Sequence, residues 1–262
     1  MGTNPGAFRR SSFEHDALSF SYLDTEGDGE VLVALHAHWM EGISFAPLAA
    51  ALAPTWRMVA PDQRGHGHSD HANSYTRDDY LGDLEALLDH LHLTKPLVLL
   101  GNSLGGVNAY QFAARNPNRV RGLIIEDIGV EIADDIPIVL TWAGNFRTRE
   151  ELAERIGPRL SPYLEPSFRE TNQGWRLAFD PQEMLESQTN LNGNHWNDWL
   201  GSSCPALLIR GRDSPVTKQE HLEEMAARRP STKLEILDGG HVIHQSHPEL
   251  FAHTVKVFLQ HL

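Results

Sequence analysis

The apolar run Leu97 to Leu100 leads straight into Gly101-Asn102-Ser103-Leu104-Gly105, and a helix-like stretch, Val107 to Arg115, follows. This is Gly-x-Ser-x-Gly in a strand–turn–helix setting, which confines the chain to folds where a buried strand hands over abruptly to a helix. The turn is so tight that the serine sits in a strained conformation, with its hydroxyl held above the sheet edge. Glycines flank it because any side chain would collide with the neighbouring strand and helix. A Gly-rich turn alone carries no chemistry. The apolar strand before it and the helix after it make Ser103 a candidate nucleophile.

Other short apolar runs alternate with helical patterns, the signature of a mostly parallel sheet covered by helices on both faces. The strand candidates are Val31–Leu35, Arg57–Ala60, Leu97–Leu100, Gly122–Ile125, Ala206–Ile209 and Leu234–Leu237. Each ends in a loop rich in Gly, His or Asp, and in open α/β sheets the loops at strand C-termini carry the chemistry. A helix is expected from Arg77 to about His92. Leu81, Leu84, Leu87, Leu88 and Leu91 share one face, Thr76 is the expected N-cap, and Asp78 and Asp79 sit at the positive end of the dipole. A C-terminal helix, Pro248–His261, is expected to bury Leu250, Phe251, Val255, Phe258 and Leu259.

The rhythm breaks between about Val130 and Ser203, a proline-rich stretch with no evident strand alternation that holds four of the 6 tryptophans. It reads as a helical cap, residues 131–203, inserted into a core made of 1–130 and 204–262. Trp142, Trp175, Trp196 and Trp199 either line a substrate pocket or pack the cap onto the core. Cap arginines such as Arg147, Arg149 and Arg176 either meet a substrate carboxylate or form a solvated face.

A length of 262 residues suits one large α/β domain with such an insertion. The net charge of −13 argues against nucleic acid or an anionic membrane as partner. With one cysteine, Cys204, no internal disulfide forms, which fits a reducing compartment. No apolar run approaches the ~20 residues of a membrane span. Arg9-Arg10 lacks the apolar region a twin-arginine signal needs, so the start reads as a short polar tail on a cytoplasmic chain.

A serine hydroxyl needs a base, and the base needs a partner that orients it. His241 has the expected setting, after a short strand and Gly239-Gly240 and before the last helix. Most of the other histidines read as surface or loop residues.

With these residues placed, nearly the whole chain resembles the α/β-hydrolase superfamily. The likeness rests on Leu35-His36-Ala37-His38 after one strand, Asp62-Gln63-Arg64-Gly65-His66-Gly67-His68-Ser69 after the next, the Ser103 elbow, and Gly240-His241. It implies backbone oxyanion donors at Leu104 and at His38 or Ala37, where the family usually has His-Gly in place of His36-Ala37. It also implies a substrate site around Trp39, Asn102, Trp142, Trp175 and Val242.

The acid has two candidates. The usual family position, three residues after the glycine closing the Ala206–Ile209 strand, is occupied by Ser214, with Asp213 one residue early. Asp127, at the end of the preceding strand, matches members that place the acid there, including the acetamidomethylene-succinate hydrolases, and it is favoured over Asp213. Asn102 before the nucleophile is similar to the hydrolases of meta-ring-fission products, or is a hydrogen-bonding neighbour.

A competing string, His66-Gly67-His68-Ser69-Asp70-His71, matches the H-x-H-x-D-H metal motif of metallo-β-lactamase-like hydrolases. The same residues satisfy the superfamily loop, and a metal would leave the elbow unexplained, so no metal is expected. The resemblance implies a cofactor-free serine hydrolase of a small carboxylic ester or lactone, as a monomer or homodimer. The alternatives are amide or C–C bond hydrolysis, a cofactor-independent oxygenase that uses the histidine–acid pair, and a non-catalytic binding protein on the same fold.

Overall fold

The structure, a computed structural model, describes residues 6–262. In chain order the strands are β1 (Arg9–His15), β2 (Leu18–Asp24), β3 (Glu30–Leu35), β4 (Trp56–Pro61), β5 (Leu97–Asn102), β6 (Val120–Glu126), β7 (Glu131–Ile132), β8 (Phe168–Thr171), β9 (Gly174–Leu177), β10 (Gly193–Asn194), β11 (Ala206–Gly211) and β12 (Thr232–Leu237). The helices are α1 (Ala46–Leu52), α2 (Arg77–His90), α3 (Leu104–Arg115), α4 (Arg149–Ile156), α5 (Ser161–Leu164), α6 (Pro181–Leu191), α7 (Trp196–Leu200), α8 (Gln219–Arg228), α9 (Ile243–Ser246) and α10 (Pro248–Leu259).

Eight strands form one sheet in the order β1-β2-β4-β3-β5-β6-β11-β12. β1 pairs antiparallel with β2 and β2 antiparallel with β4, and every other pairing in this sheet is parallel. The period-2 alternation of strand side chains divides the core. Val33, Leu35, Leu97 and Leu99 face the layer built by α2, α3 and α8, while Leu32, Ala34, Val98 and Leu100 face α1 and α10. Both faces are therefore apolar, as a covered parallel sheet requires. All six expected strands are present, each longer by one to three residues.

The helix beginning at Arg77 forms as expected. Thr76 accepts from the Asp79 N–H, and the Asp79 carboxylate reaches back to the Thr76 N–H, a capping box. In the C-terminal helix Leu250 faces solvent at 38% exposure, contrary to expectation. The buried stripe of α10 instead runs through Phe251, Ala252, Val255, Phe258 and Leu259. Leu250 stands in its first turn, off that stripe.

Two further expectations need correction. Residues 9–24, expected to belong to a polar tail, form an edge hairpin. In β1 only Phe13 is buried, so the strand shows no alternation in sequence, and Arg10 is used to reach the Ser21 hydroxyl and the Asp62 carboxylate. The segment between β6 and β11 also contains strands: β8 and β9 form one hairpin, and β7 pairs with β10. These pairs are two to four residues long, too short to leave a periodic signal. Within the segment α7 packs on α3, and the turn Pro137–Trp142 packs on α6. No helix among the described residues is long and apolar enough to cross a membrane.

Replacing Thr76 by Ala removes the α2 cap and is expected to lower stability by about 1 kcal/mol. Urea unfolding of the two proteins checks this, and an unchanged midpoint would contradict the capping account.

Candidate active site

The elbow is built by close approach. A Cβ added at Gly101 would lie 2.1 Å from the Gly105 carbonyl oxygen, and one added at Gly105 would lie 2.1 Å from that of Leu35. The start of α3 is thus pressed against the ends of β5 and β3, which brings Leu104 beside the loop that follows Leu35. Ser103 takes φ 52° and ψ −117°, a strained conformation for a residue with a side chain. Its N–H donates to Glu126 O at 3.1 Å, which ties the elbow to the end of β6. Leu104 is the first residue of α3, where backbone N–H groups have no partner within the helix.

Asp127 follows β6 with φ 53° and a fully buried carboxylate. Its Oδ2 accepts from His241 Nδ1 at 2.6 Å and from the Ser214 hydroxyl. Its Oδ1 accepts from Thr217 Oγ1 at 2.8 Å and from the Gly211 N–H at 3.3 Å. An ionised carboxylate can only accept, so Nδ1 of His241 carries the proton and Nε2 presents its lone pair. Asn102 Nδ2 donates to His241 O at 3.0 Å and to Glu126 O at 3.1 Å, so the residue before Ser103 holds the histidine loop over the end of β5. Asp213 is exposed, and its N–H donates to Gly239 O at 3.0 Å.

Ser214, at the position where the resemblance to the superfamily would place the acid, donates instead to Asp127. It and Thr217 are missed by a search for acids, although the family position of Ser214 carries the hint. Sequence reading also misses the support under His241. Glu126 accepts from the Ile243 N–H at 2.6 Å and the His244 N–H at 2.9 Å through Oε1, and bonds His244 Nδ1 at 2.7 Å through Oε2. Both side chains are fully buried.

The loop after β3 is held at both ends by the core. His36 Nε2 accepts from the Gln63 N–H at 2.9 Å, and the Gly42 N–H donates to Asp62 Oδ1 at 2.9 Å. Ala37 O accepts from the Met40 N–H at 3.3 Å, and the His38 ring bonds Ser187 Oγ at 2.8 Å. Trp39 and Trp142 meet edge to face with ring centroids 5.1 Å apart. Trp175 sits on β9, where it exchanges two 2.7 Å backbone bonds with Phe146. Val242 directly follows His241 and leads into α9. Trp199 is a packing residue, buried against Tyr110 and donating to Met225 O.

Most of the histidines other than His241 lie at the surface or in loops, as expected; five, His36, His38, His66, His195 and His244, are buried, and of these only His244 lies in a helix. His36 meets both its hydrogen-bonding needs locally, through Ala37 O and the Gln63 N–H, whereas Nε2 of His66 and of His244 has no hydrogen-bond partner among the described residues, and single-residue patterns do not reveal either case. Burial first, then neighbouring Arg77 and His36, pushes His38 down to about 3. Burial likewise holds His36 below, and His66 well below, the ordinary histidine value. Burial pushes Glu41 up to about 7 against the opposing pull of Arg169.

The members of the metal-like string turn to separate partners. His66 Nδ1 bonds Arg64 O at 2.9 Å, Asp70 Oδ2 accepts from the Ser19 N–H at 2.8 Å, and His71 pairs with Glu183 at 2.6 Å. Among the described residues no group of three or more His, Cys, Asp or Glu side chains is placed to hold a metal ion. The loop serves as a brace instead: Arg64 clamps Asp83 through two bonds, at 2.7 and 2.8 Å.

Removing the hydroxyls that serve Asp127, through Ser214→Ala with Thr217→Val, is expected to lower kcat of any His241-dependent turnover about tenfold with KM little changed. Equal kcat in parent and double variant would contradict it. A second expectation concerns pH. Three of the buried histidines, His36, His38 and His66, have folded values below the ordinary 6.5. The unfolded chain therefore takes up protons that the folded chain refuses as pH falls below that value. The stability they contribute is present above about pH 6.5 and is lost as pH falls toward 3. Melting temperature should drop steadily from pH 6.5 to 4, with a shallower slope in His66→Asn; a flat profile in the parent would contradict this.

Among known proteins, a cis-3-alkyl-4-alkyloxetan-2-one decarboxylase of Shewanella oneidensis is 31% identical, over 96% of this chain and 88% of that protein. A 3-hydroxybutyrate-oligomer hydrolase of Cupriavidus necator is 28% identical, over 80% of this chain and 82% of that protein. The crystal structure of an E-2-(acetamidomethylene)succinate hydrolase superposes with a TM-score of 0.85 at 21% identity, covering 97% of this chain and 100% of that one. Residues 32–254 match the sequence profile of the Alpha/beta hydrolase family, and the chain belongs to that family.

Proposed function

We propose that the chain is a serine hydrolase of small carboxylic esters or lactones, with Ser103 as nucleophile, His241 as base and Asp127 as the orienting acid. The observation that carries this reading is the 2.6 Å bond between His241 Nδ1 and a buried Asp127 carboxylate, in a histidine loop that Asn102 ties to the strained Ser103 turn. Ser103 Oγ attacks the acyl carbon as Nε2 of His241 takes its proton. The carbonyl oxygen becomes an oxyanion facing the N–H groups of Leu104 and His38, with Ala37 as the alternative donor. Collapse breaks the ester bond, and the imidazolium returns its proton to the leaving alkoxide. Water then attacks the acyl-enzyme by the same proton path and frees the acid and Ser103.

The ester preference draws support from the relative named for hydrolysing 3-hydroxybutyrate oligomers, and from the frequency of ester substrates on this fold. Residues 131–203 act in this reading as a cap over the site, with Trp39 and Trp142 as a substrate-facing pair. Asn102, similar at its position to C–C bond hydrolases, has a local use in holding the His241 loop.

Turnover of p-nitrophenyl acetate tests the assignment. Ser103→Ala, His241→Ala and Asp127→Asn should each lose on the order of 10³-fold or more in kcat, and Asp213→Asn should stay within about twofold. Retained activity in Ser103→Ala would overturn the serine mechanism. A large loss in Asp213→Asn with none in Asp127→Asn would move the acid.

A further inference from the structure

The loop from His36 to Gly42 contains the proposed oxyanion donor, and its two ends are fixed by the core, through Gln63 and Asp62. Its middle is held differently. Ser167 Oγ donates to Trp39 O at 2.9 Å, and Ser167 is 1% exposed. The Arg169 guanidinium pairs with Glu41, itself 3% exposed, and also donates to Gly67 O at 3.2 Å. Ser187 Oγ bonds the His38 ring at 2.8 Å and the Tyr80 hydroxyl at 2.8 Å. Trp142 packs edge-on against Trp39. Ser167, Arg169, Ser187 and Trp142 all belong to the inserted segment, from three separate places along it.

The loop needs this help. Trp39 adopts φ +70°, which a bulky side chain rarely takes and which persists only where surroundings over-determine it. The His38 N–H belongs to the peptide before it, so Trp39 acts on it indirectly: a residue held in that conformation one position on fixes the course of the chain as it leaves the donor. Glu41, buried two residues further on, is anchored by the Arg169 guanidinium, a charge-assisted contact stronger than a neutral hydrogen bond.

We propose that the inserted segment shapes the oxyanion hole, with Arg169 and Ser167 as positioning residues that hold Trp39 and Glu41 so that the His38 N–H faces the developing oxyanion. This rests on the serine-hydrolase reading above. It makes the segment more than a cover: an enzyme whose inserted segment lifts away loses an aligned donor as well as its substrate pocket.

The test is steady-state turnover of p-nitrophenyl acetate, with active-site labelling by a fluorophosphonate, on Arg169→Ala, Arg169→Lys, Ser167→Ala and Glu170→Ala. Glu170 is the exposed neighbour of Arg169 on β8 and serves as the control. Removing one oxyanion donor costs roughly 10²–10³-fold in kcat. A donor left in place but misaimed should lose a part of that, about tenfold or more in Arg169→Ala and a smaller amount in Ser167→Ala. KM should stay within about threefold, because the ground-state carbonyl gains little from the hole. Arg169→Lys keeps the charge opposite Glu41 and should recover part of the loss, and Glu170→Ala should match the parent. A merely structural role would lower melting temperature and raise KM without this split. If Arg169→Ala does not fold, Arg169→Lys and Ser167→Ala decide the matter by the same kcat-against-KM criterion. Parental kcat in the folded Arg169 and Ser167 variants, with labelling and turnover still abolished by Ser103→Ala, would overturn this inference and leave the serine reading standing. Turnover that survives Ser103→Ala would overturn both.

Discussion

The site depends on the approach of α3 to the end of β3, close enough that one methyl group at Gly105 would collide with the Leu35 carbonyl. That contact forces the strand-to-helix turn to be sharp and puts Ser103 at its apex. It also lays the first N–H groups of α3 beside the loop that starts at His36. The proposed nucleophile and the two proposed sources of oxyanion donors are thus brought together by backbone packing, before any side chain adds specificity. The cost is a strained serine, held by the Ser103 N–H on Glu126 O and by the apolar burial of β5 between its neighbours.

The end of β6 is the second pivot. Glu126 and Asp127 are consecutive and both buried, yet they do different work. Asp127 turns toward the His241 ring, while Glu126 turns under it to take the backbone N–H groups of Ile243 and His244. One carboxylate orients the imidazole and the other fixes the loop that carries it. In the proposed triad the acid stands after β6, and Ser214 and Thr217, from the loop after β11, serve it as donors. A carboxylate that accepts from four groups is firmly aimed, and an aimed carboxylate fixes the tautomer on which general-base work depends.

The legible parts of the sequence were those where burial imposes a long or repeated pattern. Five of the six expected strands, β3, β4, β5, β6 and β11, are buried on both faces and read as apolar runs, while β12 is a half-exposed edge strand. Thr76 with Asp79 announced α2, and Gly101 to Gly105 announced the elbow. The likeness at Asp62–Ser69 and Gly240-His241 placed the remaining loops. What stayed illegible was local or long-range. β1 buries Phe13 alone, and β7 to β10 are too short for periodicity. The pairing of Arg169 with Glu41, or of Ser187 with His38, joins residues more than a hundred apart, which no single-chain pattern encodes. The buried histidines escaped notice because an imidazole fits a core only when its partners do, and those partners are scattered: Gln63 and Ala37 for His36, Ser187 for His38, Glu126 for His244.

The central claim is that Ser103, and no other residue, makes the covalent bond. Peptide mapping by mass spectrometry after treatment with a fluorophosphonate addresses it most directly. The account predicts one adduct per chain, on the peptide containing Ser103, absent in His241→Ala over the same exposure. An adduct on another residue, or an unmodified Ser103 peptide in protein that still turns over ester, would contradict it.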